Sequence, residues 1–284
     1  MVKKNKTAKI PRYIAGEAEA WNAIAEGWHA SIPLMRAWFA QATDLMLDLA
    51  HLEVGKSVLD IAAGDCDQSI AAAKRVGPSG SVLAIDIADE LLEIGARSAR
   101  EAGFQNIQTR VMDGGNLDLP DASFDAVICR FALMYLPDPA AALRGMKRVL
   151  KPGGWVSVVV YGQNGSPEFS CARSVVRRHL GLPETESDAH SLGAMALLQQ
   201  TLEAGGLSNI EIHALVLPIS MASAAECVRY LQASSPGLAE LTASLSPAEL
   251  TQVWSEVHQA LTIYEGEKGF EVMNNVIVAA GSAG

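Results

Sequence analysis

The chain predicts an α/β fold, a mostly parallel sheet with helices on both of its faces. Three observations carry that expectation. Five short apolar runs between Ser57 and Tyr161 alternate with stretches of helical period. The first run enters a tight turn of acids and small residues, Asp60-Ile-Ala-Ala-Gly-Asp-Cys-Asp67, which opens a helix. The second run, Val82–Asp86, closes on another acid 22 positions after Gly64. That spacing belongs to nucleoside-binding units in which the second acid reaches the two ribose hydroxyls.

Residues 1–16, with Lys3, Lys4, Lys6, Lys9 and Arg12, read as a flexible basic arm. A helical cap over 17–54 follows, as helices Glu17–His29 and Leu34–His51 with an expected break at Pro33. Gly55 introduces the first strand, Ser57–Ile61, and a core spanning 55–162. The helix Gln68–Val76 is stopped by Gly77-Pro-Ser-Gly80. After the second strand, Leu92, Ala96, Ala99 and Ala102 repeat at helical spacing from Asp89, and Gly103 is placed to cap that helix. Ile107–Val111 is the third strand. Phe124–Cys129 is the fourth, an apolar run suited to burial on both faces. Asp138-Pro139 opens the next helix as N-cap and first helical residue. Leu143, Met146, Val149 and Leu150 form its inner face, and Lys147, Arg148 and Lys151 complement its C-terminal dipole. Pro152-Gly-Gly154 launches the fifth strand, Trp155–Tyr161. Beyond it, 163–284 reads as lid helices (Gly165–His179, Ser191–Ala204, Ala222–Gln232, Pro247–Tyr264) with two closing strands, Ile210–Leu217 and Glu271–Ala280. Parallel sheets of this kind bind ligands at the strands' C-terminal edge. Here that edge carries Asp60–Cys66, Asp86–Ile87, Asp113–Gly114 and Arg130–Ala132.

The bulk properties narrow the partners. With 49% hydrophobic and 19% charged residues the chain has a globular composition. A net charge of −10 argues against nucleic acid, whose binding rests on neutralising phosphates with Lys and Arg. No apolar run has the length of a membrane span, and no signal peptide is evident, so a cytoplasmic protein is expected. Cys66, Cys129, Cys171 and Cys227 are widely spaced, and neither they nor the histidines show metal-ligand spacing; no metal is expected. A monomer or homodimer is expected.

The turn itself selects among nucleosides. A dinucleotide site presents backbone amides to a pyrophosphate, and Asp60, Asp65 and Asp67 would repel that group. They would attract an adenosyl ligand carrying an ammonium and a sulfonium, as S-adenosylmethionine does. The simpler alternative is that Asp65 and Asp67 only favour the helix dipole.

These residues resemble the class I S-adenosylmethionine-dependent methyltransferases. Val58-Leu-Asp-Ile-Ala-Ala-Gly64 is similar to their first motif and Ala84-Ile-Asp-Ile87 to their second. Met112-Asp-Gly114 with Leu119-Pro-Asp-Ala-Ser-Phe-Asp-Ala-Val127 resembles their adenine-contacting turn and fourth strand, and Arg148-Val-Leu-Lys-Pro-Gly-Gly154 closes the set. The overall character is that of the methyltransferase type 11 group, which includes ubiquinone and menaquinone C-methyltransferases. The resemblance implies a Rossmann-like, seven-stranded sheet and S-adenosyl-L-methionine as cofactor, leaving as S-adenosyl-L-homocysteine. It places Asp60, Ala62, Ala63 and Gly64 along the methionine moiety, Asp86 on the ribose hydroxyls and Ile87 against adenine. Asp113 and Gly114 would meet the adenine amino group, and Arg130 either the methionine carboxylate or the acceptor, a surface salt bridge being its alternative.

Two departures stand out. The family's Gly-x-Gly-x-Gly is here Ala62, Gly64 and Cys66; Ala62 is expected to be harmless in a helical or extended backbone, whereas the Cys66 side chain would crowd the ligand, unless it is a structural filler, a reactive thiol being the remaining alternative. The quinone enzymes' N-terminal Tyr-Asp and Met-Asn signature is absent. The expected partner is a small apolar or aromatic methyl acceptor, with Trp21, Trp28, Met35, Trp38, Phe39, Met195 and Leu198 as an apolar lid or, equally, as the core of those helices. The general base is sought among His29, His190 and His179, with Tyr135 as an orienting hydroxyl. Two rival functions remain at this stage: a nicotinamide-dependent dehydrogenase, and a protein that binds the cofactor without transferring its methyl.

Overall fold

The computed structural model describes residues 12–163, 165–185 and 187–284. Helix α1 (Arg12–Ala23) and the long α2 (Ala25–Leu49) precede β1 (Ser57–Ile61). Alternation follows: α3 (Asp67–Val76), β2 (Ser81–Asp86), α4 (Asp89–Glu101), β3 (Ile107–Val111), β4 (Phe124–Arg130), α5 (Pro139–Val149) and β5 (Leu150–Tyr161). Then come α6 (Pro167–His179), α7 (Met195–Ala204), β6 (Ser208–Met221), α8 (Ala224–Ser234), α9 (Pro236–Thr242) and α10 (Pro247–Leu261). The two-residue β7 (Glu265–Gly266) and β8 (Gly269–Ser282) end the chain.

The sheet runs β3-β2-β1-β4-β5-β8-β6, with β7 paired to β8 off that path. Strands β1 to β5 pair in parallel; β8 lies antiparallel between β5 and β6. Strand periodicity distributes the side chains between two cores. Val58, Ile128 and Val159 face α2, α3, α6, α8 and α10, while Leu59, Ile61, Val127 and Val158 face α5 and α7. The same alternation sends Asp60 and Arg130 toward the α2–α3 side, which fixes where their chemistry can act. Asp138 caps α5 as expected, accepting from the Ala141 amide at 2.8 Å, and Ser246 with Glu249 forms a capping box on α10 that was not foreseen.

Some expectations fail. Pro33 does not break the chain but sits, exposed, inside α2; the interruption falls at Ile24 instead. The buried stripe of Ile32, Met35, Trp38, Phe39, Ala42 and Met46 holds α2 together across the missing proline N–H. Residues 12–16 of the expected arm belong to α1, and 1–11 lie outside the described residues. Helix α9 was not foreseen, although Ser235-Pro236 signals it and Ser235 accepts from the Leu238 amide. Of the apolar residues weighed as lid or core, most are core. Met35, Trp38 and Phe39 lie in the α2-side core, Leu198 in the opposite core, and Met195 is exposed.

Candidate functional site

The turn after β1 is built on three left-handed residues: Ala62 (φ +53°), Gly64 (φ +56°) and Cys66 (φ +64°). These are the three glycine positions of the motif. Ala62 therefore contradicts the expectation of an ordinary backbone and carries about 1–2 kcal/mol of strain. The Cys66 sulfur packs against α4. A Cβ built on Gly95 of α4 would lie 2.6 Å from the Cys66 sulfur, so Gly95 leaves the space that the thiol fills. Burial pushes the Cys66 thiol far above its usual range, which makes it an inert filler.

The acids of the turn are not open charges. Asp60 is fully buried beneath the turn, receiving the Ser69 hydroxyl and, at 3.2 Å, the Gln68 amide. Burial raises its carboxyl to about 7, against the lowering effect of both donors. Asp65 meets His29 Nδ1 at 2.8 Å, and burial raises its carboxyl despite that partner. Asp67 Oδ1 accepts from Arg36 Nε at 2.7 Å and its Oδ2 from Arg130 at 3.0 Å. Arg130 also donates to Thr43 Oγ1 at 2.8 Å and is only 9% exposed, so it forms a buried clamp and not a surface salt bridge. The partners come from α2 at a spacing of seven: His29, Arg36 and Thr43. Seven residues return to nearly the same helix face about 10 Å further along, so one stripe of α2 grips the whole turn. Trp28 packs over Gly64, and Trp21 meets Trp28 edge-on at 5.2 Å, so α1 and α2 roof the turn.

Asp86 stands at the other side. Its Oδ2 accepts the Gly64 amide at 2.8 Å and its Oδ1 the Ala88 amide at 2.9 Å, while burial raises its carboxyl. Ile87 follows it, half-buried. The Ala63 amide donates to the Ile85 carbonyl at 2.9 Å, tying the turn to β2. Asp113 Oδ1 accepts the Gly115 amide at 2.7 Å, and Gly114 is obligatory because a Cβ there would meet Ile61 at 2.5 Å. The sequence-derived residues Asp60, Ala62, Ala63, Gly64, Asp86, Ile87, Asp113, Gly114 and Arg130 thus do gather along one sheet edge.

The catalytic candidates separate. His29 lies at the turn. His190 lies at the end of β5, its Nε2 3.2 Å from Ser166 Oγ and its ring edge-on to Tyr161 at 6.3 Å. Tyr135, in a short 3-10 turn after β4, is 49% exposed. His179 pairs with Glu256 of α10 at 3.5 Å. Sequence reasoning missed Arg36 and Thr43, though their seven-residue spacing from His29 was the available signal. Among the described residues no cluster of three or more His, Cys, Asp or Glu could hold a metal, and no helix is long and apolar enough to cross a membrane.

The ubiE/COQ5 methyltransferase family model matches residues 2–184, well over half of the chain. The chain belongs to the ubiE/COQ5 methyltransferase family. It is 32% identical over 165 residues to a demethylmenaquinone methyltransferase of Listeria welshimeri, covering 58% of this chain and 66% of that protein. It is 34% identical over 165 residues to a ubiquinone/menaquinone biosynthesis C-methyltransferase of Bordetella avium, covering 58% of this chain and 60% of that one. The match thus spans just under two thirds of these relatives' own lengths. A solved structure of a Bacillus halodurans protein superposes with a TM-score of 0.58 at 20% identity, over 85% of this chain and 98% of that one, and shares the fold.

Proposed function

We propose that this ubiE/COQ5 family member transfers a methyl group from S-adenosyl-L-methionine to a ring atom of a small, oxygenated aromatic acceptor of quinone type. The observation that carries the reading is Asp86. Its two oxygens are fixed by the Gly64 and Ala88 amides, with the Ile87 amide as a third donor, and the acceptor capacity left on the carboxylate suits a ribose hydroxyl. The fit extends to the amino-acid tail. Arg36 and Arg130 converge on one carboxylate, Asp67, and the 61% exposed Arg36 guanidinium has further N–H donors that suit a ligand carboxylate. When bound, the cofactor supplies an electrophilic methyl on a sulfonium. The chain's own share is positioning in a water-poor site and removal of the acceptor's proton.

For that proton His29 is the favoured base. Asp65 accepts from Nδ1, which orients the ring and leaves Nε2 as the basic nitrogen. Asp65 orients His29 and Asp67 joins Arg36 of α2 to Arg130 of β4, so in this reading the acids of the turn also organise the groups that face the ligand.

Calorimetry with S-adenosylmethionine and S-adenosylhomocysteine tests the reading. Both should bind, and Asp86→Ala should weaken them by ~1–3 kcal/mol through lost charge-assisted hydrogen bonds. Absence of binding to either would reject it. With a demethylated naphthoquinol as acceptor, His29→Asn should lower turnover ~10²–10⁴-fold while cofactor affinity holds.

A further inference from the structure

Next to the Arg130 clamp lies an aromatic group that the cofactor reading does not use. Phe131 stacks on Tyr161 at 4.5 Å with 21° between the rings, and Phe39 of α2 meets Phe131 edge-on at 4.7 Å. Phe39 is buried, whereas Phe131 and Tyr161 are half-buried, so part of the stack reaches the surface of the sheet edge. Phe131 also has φ +57°, a left-handed backbone that a bulky side chain adopts at a cost of about 1–3 kcal/mol. Its amide is held by the Val159 carbonyl at 2.7 Å, which locks the conformation. The strained backbone directs the ring onto Tyr161 where β4 and β5 both end, one residue past the Arg130 clamp. The edge of the stack is polar: His190 stands edge-on to Tyr161, with Ser166 beside it.

We propose that Phe131 and Tyr161, backed by Phe39, are the platform on which the planar ring of the methyl acceptor stacks, with His190, held from behind by the buried Ser166, at its oxygenated edge. The proposal rests on the methyl-transfer reading for the acceptor's role, but its physical content is a preference for flat π-systems. Stacking on an aromatic face favours a planar ring over a saturated one of the same outline. Phe131 is thus a binding and positioning residue, not a proton-transfer group.

The test uses two probes, 1,4-naphthalenediol and decahydronaphthalene-1,4-diol, titrated by calorimetry into the full chain with and without S-adenosylhomocysteine. The wild-type chain should bind the flat diol at least tenfold more tightly. Phe131→Leu should erase that preference with S-adenosylhomocysteine affinity changed less than twofold, and Phe131→Trp should retain it. Equal binding of both diols by the wild-type chain overturns the platform without recourse to any variant, as does a Phe131→Leu chain that keeps the preference. A chain that discriminates the diols yet binds no S-adenosylhomocysteine would sink the methyl-transfer reading and leave the platform standing.

Discussion

Ala62 and Cys66 hold backbone conformations that glycine adopts freely, and their side chains have opposite consequences. Ala62→Gly removes about 1–2 kcal/mol of left-handed strain and gives back about 0.5–1 kcal/mol through a looser unfolded chain. A gain of up to about 1.5 kcal/mol is expected, read as a higher urea midpoint with unchanged slope. Cys66→Gly relieves the same strain but empties the space against Gly95, so it should be neutral or destabilising. Gly95→Ala should cost about 1–3 kcal/mol by overpacking. Cys66→Gly should rescue it only in part, because the Asp65 carbonyl carbon stands at 2.6 Å as well. At this scale the sequence was readable in residue type more than in conformation. Asp86 and Gly114 were found by motif, but the positive φ of Ala62 and Phe131 leaves no trace in residue type, because neither residue favours it.

Helix α2 carries most of what the sequence left obscure. Its apolar stripe was legible, yet Pro33 read as a boundary, because a proline's local penalty can be weighed from sequence and the burial that outweighs it cannot. Pro33 is exposed, so Pro33→Ala restores an intrahelical hydrogen bond without disturbing packing and should stabilise the chain by about 1–3 kcal/mol in a urea melt. The polar face of the same helix was illegible for a different reason. His29, Arg36 and Thr43 look like ordinary solvated residues until the sheet brings Asp65, Asp67 and Arg130 against them. Their energetic weights differ. Arg130→Met removes a buried guanidinium and leaves Asp67 with its single exposed partner, for an expected loss of about 2–4 kcal/mol. Arg36→Met removes a side chain that is 61% exposed and should cost less than about 1 kcal/mol. Equal losses in the two variants would show that α2 does not bury the clamp.

The molecule as a whole stores several acids in apolar surroundings, and this sets its response to pH. On the α2-side face, Glu168 of α6 and Asn274 of β8 are both buried and share one hydrogen bond, Asn274 Nδ2 to Glu168 Oε1 at 3.2 Å. Among the described residues Glu168 Oε2 and Asn274 Oδ1 have no partner. Both shortages vanish if Glu168 keeps its proton and donates it to the amide oxygen. Burial raises Glu168 from an ordinary 4.5 to about 7, and Asp60 from 3.8 to about 7, while Asp65 and Asp86 shift in the same direction. Between an acid's ordinary value and its raised one, the unfolded chain has lost the proton that the folded chain retains. Stability therefore falls as pH rises from about 4 to about 7 and levels off above, by about 3 kcal/mol at most for Glu168. The net charge of −10 at neutral pH adds self-repulsion of the same sign. Glu168→Gln replaces the titrating acid with an amide that donates to Asn274 Oδ1 at every pH. Urea midpoints taken from pH 4.5 to pH 8 should show the variant level with the wild-type chain at the acid end and more stable at the alkaline end, with the gap opening between the two values of Glu168. A variant no more stable than the wild-type chain at pH 8 would mean that Glu168 is ionised in the fold and that its second oxygen has another partner.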